Sequence, residues 1–238
     1  MNRPTKGVAV KVLGDYACFS RPEFKVERVS YDVMTPSAAR GILEAIFWKP
    51  EFRYEVREIH VLKLGTKVSI LRNEIADRQL RSPIIVENAR QQRTSIVLRD
   101  VAYVIRAELK LRTTDAEPGG YLDQFNRSVE RGKCHHTPCL GTREFAAAFE
   151  PAGSDDSGTR ESPDLTLNLG TMLFEIAYVE EPGNSKGEIE FWKGTGETRR
   201  LVRGHTVPLF FNASVQRGVL SVPAGEYDRL YELESGNA

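Results

Sequence analysis

Between Arg131 and Phe145 the chain gathers Lys133, Cys134, His135, His136, Cys139, Arg143 and Glu144, a dense run of ionisable and nucleophilic groups. Cys134, His135, His136 and Cys139 could each ligate zinc. Structural zinc sites, however, separate two pairs of ligands along the chain so that a tetrahedron can close, and adjacent side chains such as His135 and His136 point in different directions. The segment is therefore not read as a metal site, and no cofactor is expected. A loop whose histidines are surface residues is the plain alternative. The chemistry that Lys133, His135, His136 and the nearby Tyr121 would suit is metal-independent RNA cleavage. One group takes the proton of a 2′-hydroxyl that attacks the adjacent phosphorus, another protonates the departing 5′-oxygen, and a cation offsets charge on the phosphoryl oxygens. Histidine serves both proton roles because its ordinary pKa of about 6.5 lies near working pH.

These groups need elements to position them. Tyr121 to Arg131 reads as a helix, with Leu122, Phe125 and Val129 on one face and Gly132 as its terminator. An apolar strand from Phe145 to Phe149 follows the loop. Upstream, Val8, Val10 and Val12 alternate as in a half-buried strand, and Thr35 caps a helix that opens at Pro36 and runs through Ile42, Leu43, Ile46 and Phe47 to the Lys49-Pro50 stop. Phe52, Tyr54 and Val56 alternate, and Ile59 and Val61 resume one step out of phase, so a β-bulge is predicted at Arg57-Glu58. Val101 to Leu111 is the cleanest alternating strand. The order βαβ, insertion, βαβ predicts an α+β fold: a ferredoxin-like (RRM-like) domain over residues 1–151. The polar stretch from Arg72 to Arg93 is read as an inserted arginine-rich hairpin or loop. Beyond a Gly/Ser/Asp/Pro stretch from Ala152 to Asp164, short strands at Met172–Val179, Glu188–Trp192 and Leu209–Phe211 predict a small β-rich C-terminal part over residues 165–238.

Composition limits the function classes. The chain has 238 residues, 40% hydrophobic and 28% charged, as in an ordinary globular protein. No apolar run approaches the ~20 residues that span a bilayer, and Met1 to Lys6 does not read as a signal peptide, so a cytoplasmic protein without a membrane partner is expected. Three cysteines argue against a disulfide framework. Thirty-three basic residues balance thirty-three acidic ones, so any RNA surface must come from local clustering. The cluster is visible from Arg72 to Arg112, where Arg78, Arg81, Arg90, Arg93, Arg99, Arg106 and Lys110 outnumber Asp77, Glu87, Asp100 and Glu108. Solvated strand edges are its alternative reading. His60 and His205 are read as structural, and Trp48 and Trp192 as packing residues that could also stack bases. Phosphate loops, G-x-S-x-G elbows and H-E-x-x-H motifs do not occur in the sequence.

Several blocks carry a family resemblance. Gly14-Asp15-Tyr16-Ala17-Cys18-Phe19, Val29-Ser30-Tyr31 and Pro36 through Pro50 resemble the subtype I-C branch of CRISPR-associated (Cas) family five, in the RAMP superfamily. So do Tyr121 to Phe125, Arg131-Gly132, Leu140 to Phe145 and Val207 to Phe211. Arg40 and Arg143 lie in these blocks and join the expected RNA contacts. The resemblance implies a ferredoxin-like domain with a β-rich extension. It also implies an antiviral-defence nuclease that cleaves the guide-RNA precursor within its repeat and remains on the 5′ handle of the surveillance complex, beside Cas family seven and family eight subunits. For the reaction the resemblance implies a tyrosine just before the helix-one tryptophan and a Lys-His pair upstream of the glycine that ends helix two, as in some members of the branch. Here those positions fall on Phe47 and on Gly120-Tyr121. The reaction then needs a relocated set, Tyr121, Lys133, His135 and His136, or the protein binds the handle without cutting. A metal-dependent nuclease acting on DNA, with Asp155 and Asp156, is the third reading.

Overall fold

The computed structural model describes residues 7–24, 26–76, 83–112, 118–153, 164–181, 189–194 and 196–236. Arg78, Arg81, Asp155 and Asp156 lie outside them, as does most of the stretch between Ala152 and Asp164.

Val8, Val10 and Val12 are buried on β1 (Gly7–Ala17), as their alternation requires. After the short β2 (Arg28–Val29), α1 (Pro36–Ile46) begins where Thr35 accepts a hydrogen bond from the Ala38 N–H at 3.2 Å. Its buried residues, Pro36, Ala39, Ile42, Leu43 and Ile46, recur at helical spacing. The helix ends at Ile46 rather than at Lys49, because Phe47 turns to extended backbone (φ −152°, ψ 125°) and its ring stacks on Phe52, 5.9 Å between centroids. β3 (Phe52–Lys63) carries the predicted bulge, a register shift against its partner between Val56 and Glu58.

Of the two readings of the arginine-rich insertion, hairpin or loop, the structure shows the hairpin. β4 (Thr66–Ile75) pairs antiparallel with the first half of the 22-residue β5 (Arg90–Leu111), while the second half of β5 pairs with β3. The strand predicted from Val101 thus begins eleven positions earlier, at Arg90, because residues 90–99 find partners in β4 and β2 that no local pattern announces. Helix α2 (Pro118–Glu130) terminates at Gly132 (φ 59°): the Gly132 N–H bonds the Val129 carbonyl at 3.1 Å and the Lys133 N–H bonds that of Ser128 at 2.8 Å, a Schellman arrangement. β6 is Ala148–Pro151, so Phe145 lies in a turn before the strand, its N–H bonded to Thr142.

The C-terminal strands are longer than the sequence suggests: β7 (Leu167–Glu180), β8 (Ile189–Lys193), β9 (Arg200–Gln216) and β10 (Val219–Ser221), followed by a third helix, α3 (Ala224–Ser235), that the periodicity does not reveal. The result is an α+β protein on one ten-stranded, mostly antiparallel sheet of order β6-β1-β5-β3-β10-β9-β7. The sheet curls, for α1 packs on both β3 and β7, which three strand-to-strand steps separate. α3 bridges the same limbs: the Tyr227 ring packs edge-on against Phe174 of β7, and its hydroxyl accepts from the Val56 N–H of β3 at 2.6 Å. Among the described residues, no helix is long and apolar enough to cross a membrane.

Candidate RNA-processing site

The loop after α2 is pinned to the rest of the molecule at both ends. At one end the backbone N–H groups of His135 and His136 both donate to the Ala45 carbonyl, at 2.9 and 3.0 Å, satisfying an acceptor that the end of α1 leaves without an intrahelical partner. At the other end the Cys18 N–H of β1's exit donates to Leu140 at 2.9 Å, and Gly141 adopts φ 89° against the Cys18 carbonyl, where a Cβ would overlap the oxygen. Only glycine fits there. The backbone beneath the histidine pair is thereby held, while the His135 and His136 side chains stay exposed with ring centroids 4.4 Å apart. Lys133, also exposed, follows the helix cap directly.

Tyr121 joins this end of α1 through an aromatic row. Its ring lies 5.1 Å from Phe52, which in turn stacks on Phe47, two residues beyond Ala45. Tyr54 approaches the same corner, donating from its hydroxyl to the Phe47 carbonyl at 2.8 Å. Burial, reinforced by the charge of Glu44, pushes its phenol far above the ordinary tyrosine range, so Tyr54 is a structural donor and not a proton acceptor. The structure therefore places His135 and His136 on the end of α1 with Lys133 next to them in the chain, while Tyr121 lies in the first turn of α2, about 14 Å of helix before its end at Glu130, and reaches that corner only through Phe52 and Phe47. Among the described residues, no three His, Cys, Asp or Glu side chains converge as metal ligands.

Among the described residues, the expected RNA-contact arginines lie in several parts of the molecule. Arg40 is locked in place: its Nε and Nη2 donate to the two oxygens of Glu175 at 2.8 and 2.9 Å, and its Nη1 donates to Glu44 at 2.7 Å. Three of its nitrogens thus face carboxylates, an arrangement that clamps α1 to β7. Arg93, on the hairpin, bonds Gln91 at 3.0 Å and pairs with Glu74 at 3.5 Å. Arg72 pairs with Glu144 and, at 3.2 Å, with Glu74, while Arg28 reaches Glu144 at 2.9 Å. Arg90 and Arg143 are exposed. Arg106 is exposed too, but it lies thirteen strand positions beyond Arg93, at most about 43 Å along β5 at 3.3 Å per residue, beside Arg57 and Glu58. His60 and His205 each sit 2.7 Å from a carboxylate, Glu58 and Glu181 respectively.

One feature of the same region went undervalued in the sequence. Trp48 and Trp192 are 47% and 58% exposed and line a common groove with a volume of about 600 Å³. The two lie too far apart in the chain for any local pattern to pair them.

The sequence model of the family described as CRISPR-associated protein (Cas_Cas5) matches residues 7–223. The chain therefore belongs to the Cas5 family of CRISPR-associated proteins, in its Cas5d, subtype I-C branch. It is 57% identical over 233 residues to the CRISPR pre-crRNA endoribonuclease Cas5d of Thermus thermophilus, covering 96% of each chain. Identity to the protein of the same name from Mannheimia succiniciproducens is 37% over 237 residues, covering 91% of this chain and 94% of that one. Among solved structures, a CRISPR-associated protein superposes with a TM-score of 0.62 at 22% identity, over 92% of this chain and 93% of the other. A functionally uncharacterized Streptococcus mutans protein gives 0.58 at 19% identity, over 97% and 96%. Both structural likenesses bear on the fold.

Proposed function

We propose that this protein is an endoribonuclease that cuts CRISPR precursor RNA within its repeat, without a metal ion, and then stays on the 5′ handle. The observation that carries the reading is the seating of the His135-His136 loop on the end of α1, in a chain 57% identical to a pre-crRNA endoribonuclease. In the proposed reaction one imidazole takes the 2′-hydroxyl proton as the 2′-oxygen bonds to phosphorus, and the P–O5′ bond breaks as the other imidazole protonates the leaving oxygen. The products are a 2′,3′-cyclic phosphate and a 5′-hydroxyl. In-line displacement puts attacking and leaving oxygens on opposite sides of phosphorus, so the two exposed rings turn apart to bracket it. Lys133 offsets the phosphoryl charge, and the Tyr121 phenol is a further donor.

Arg90, Arg93, Arg106 and Arg143, with Arg78 and Arg81 from the part of the hairpin outside the described residues, are the proposed RNA contacts. The strand order β6-β1-β5-β3, with α1 between β1 and β3 and α2 between β5 and β6, supports reading residues 1–151 as a ferredoxin-like unit and residues 165–238 as its β-rich extension. Cas family seven and family eight subunits are the proposed neighbours in a surveillance complex.

Incubation with the cognate repeat RNA in EDTA tests the reading. A single cut by wild type, slowed about 10²- to 10⁴-fold by His135→Ala or His136→Ala, is expected. Cutting that survives both substitutions together would remove the assignment. A second reading, handle binding without cleavage, is favoured by Phe47, whose ring carries no hydroxyl at the position where the family resemblance implies a tyrosine. Tight binding with no cut would establish it.

A further inference from the structure

A groove runs between the α1–β3 connection, the end of β5 and β8. Its lining includes Trp48, Tyr178, Phe191 and Trp192, together with Lys110 and Arg112. The volume of about 600 Å³ falls within the usual range of ligand sites. Building on the RNA-cleavage reading above, we infer that this groove holds a single-stranded stretch of the RNA next to the cut site, its bases stacked on Trp48 and Trp192 and its phosphates on Lys110 and Arg112.

Four observations favour that occupant. Large aromatic side chains are normally covered, yet Trp48, Tyr178 and Trp192 are 47%, 43% and 58% exposed and converge on one concavity. Trp192 is also held in orientation, because the Arg199 guanidinium lies 4.5 Å from its ring centre. Such platforms take unstacked bases, which a duplex cannot offer.

Charge gives the second argument. Arg53 is paired with Glu234 at 2.8 Å, Lys193 with Glu180 at 3.1 Å, and Arg40 with Glu175 and Glu44. Lys110 and Arg112 make no ion pair among the described residues, although Glu234 and Glu44 of the same lining act on Arg112 from further off, so the groove keeps two cations without a contacting carboxylate beside its aromatic faces. Third, burial and then the neighbouring Arg53 charge outweigh Glu234 and Glu44 and lower the Arg112 pKa, so its charged form gains from an incoming phosphate. The fourth argument is continuity: Trp48 stands three residues after Ala45, the docking point of the histidine loop, so at most about 11 Å of backbone separates the two.

The chain's only two tryptophans both line this groove, so intrinsic fluorescence reports on its occupancy. The probe is a ten-nucleotide oligoadenylate, with its affinity read independently from the anisotropy of an end-labelled copy. Saturable quenching of tryptophan emission is expected. Trp192→Ala should weaken oligoadenylate binding about tenfold, and Trp192→Phe, which keeps a stacking face, by less. Lys110→Gln/Arg112→Gln should flatten the dependence of log K on log salt by about 1.4, from two lost phosphate contacts on a single strand. Should Trp192→Ala fail to fold, the phenylalanine and double-glutamine variants carry the test.

Oligoadenylate bound by anisotropy with unchanged tryptophan emission, or with equal affinity for wild type and Trp192→Ala, would overturn the inference. So would quenching by adenosine monophosphate as strong as by the oligomer, which would make the groove a mononucleotide site. A repeat-RNA cleavage gel run in parallel separates the two proposals. Cutting without quenching sinks the groove alone, and quenching without cutting sinks the nuclease reading alone.

Discussion

Replacing Arg40 by alanine should destabilise the protein strongly. The side chain of its partner Glu175 on β7 is 0% exposed, and both carboxylate oxygens accept from the Arg40 guanidinium, at 2.8 and 2.9 Å. Truncating the arginine leaves that carboxylate buried without a counter-charge, which costs about 3–5 kcal/mol. Against a total stability of roughly 5–15 kcal/mol for a folded chain, that is a large fraction. For a chain of this size it corresponds to a fall in Tm of roughly 6–20 °C. Arg40→Lys should land between, since an ammonium supplies a point charge and not a two-pronged fork. Arg40→Met/Glu175→Met should recover most of the loss, because removing both charges removes the desolvation problem as well. Urea unfolding followed by circular dichroism at pH 7, with thermal melts in parallel, measures all four proteins. Arg40→Ala within 1 kcal/mol of wild type, or a double variant less stable than the single one, would refute the reasoning. The same series separates a clamp from an RNA contact: a phosphate-binding arginine would lose RNA affinity with stability intact.

Three further outcomes follow from the loop that carries the histidines. Gly141→Ala places a side chain at φ 89° and against the Cys18 carbonyl, so it should cost more than about 1 kcal/mol in urea unfolding and slow RNA cleavage by releasing the loop; wild-type values for both would contradict the pinning. Burial alone would raise the Glu144 carboxyl, but its own backbone N–H, Arg28 and Arg72 outweigh that and hold it below the usual carboxylate range. A depressed folded pKa means stability that is present above the unfolded value of about 4.3 and lost as pH falls through the folded one, so Tm should drop more steeply between about pH 5 and pH 3 for wild type than for Glu144→Gln. Parallel curves would show that the pair network contributes nothing. Cys134 is exposed, Cys18 is buried, and burial, only partly opposed by Arg143, pushes the Cys139 thiol up. Iodoacetamide should therefore modify Cys134 first, Cys139 more slowly and Cys18 only on unfolding, as read by peptide mass spectrometry; equal rates at Cys134 and Cys139 would contradict the loop geometry.

Much of the candidate site was legible because it depends on local chain chemistry. The Thr35-Pro36 start of α1, the slip in phase that marks the bulge at Arg57 and the glycine that closes α2 each satisfy backbone groups within a few residues of themselves. Lys133, His135 and His136 stood out as a contiguous cluster, and their chemistry needed no fold to be suggested. The hairpin was harder. Arg72 to Arg93 could be read only as a hairpin or a loop, because its polar residues alternate on strands exposed along most of their length, which lack the apolar face that marks a buried strand. Helix α3 escaped notice for a related reason, since only Tyr227 and Leu230 of its twelve residues are buried.

By itself, then, the sequence determined the candidate groups, the first helix with its cap and stop, the alternation of the central strands and the family. Only the tertiary structure decided what those groups face. Arg40 reads as one more exposed cation until β7 brings Glu175 against it; the histidine loop has no fixed position until Ala45 offers its carbonyl; and Trp48 shares a groove with Trp192 only because the sheet curls back over α1. Each of these contacts joins residues far apart in the chain, and closing such loops is driven by burial over the whole core, which no short window of residues contains.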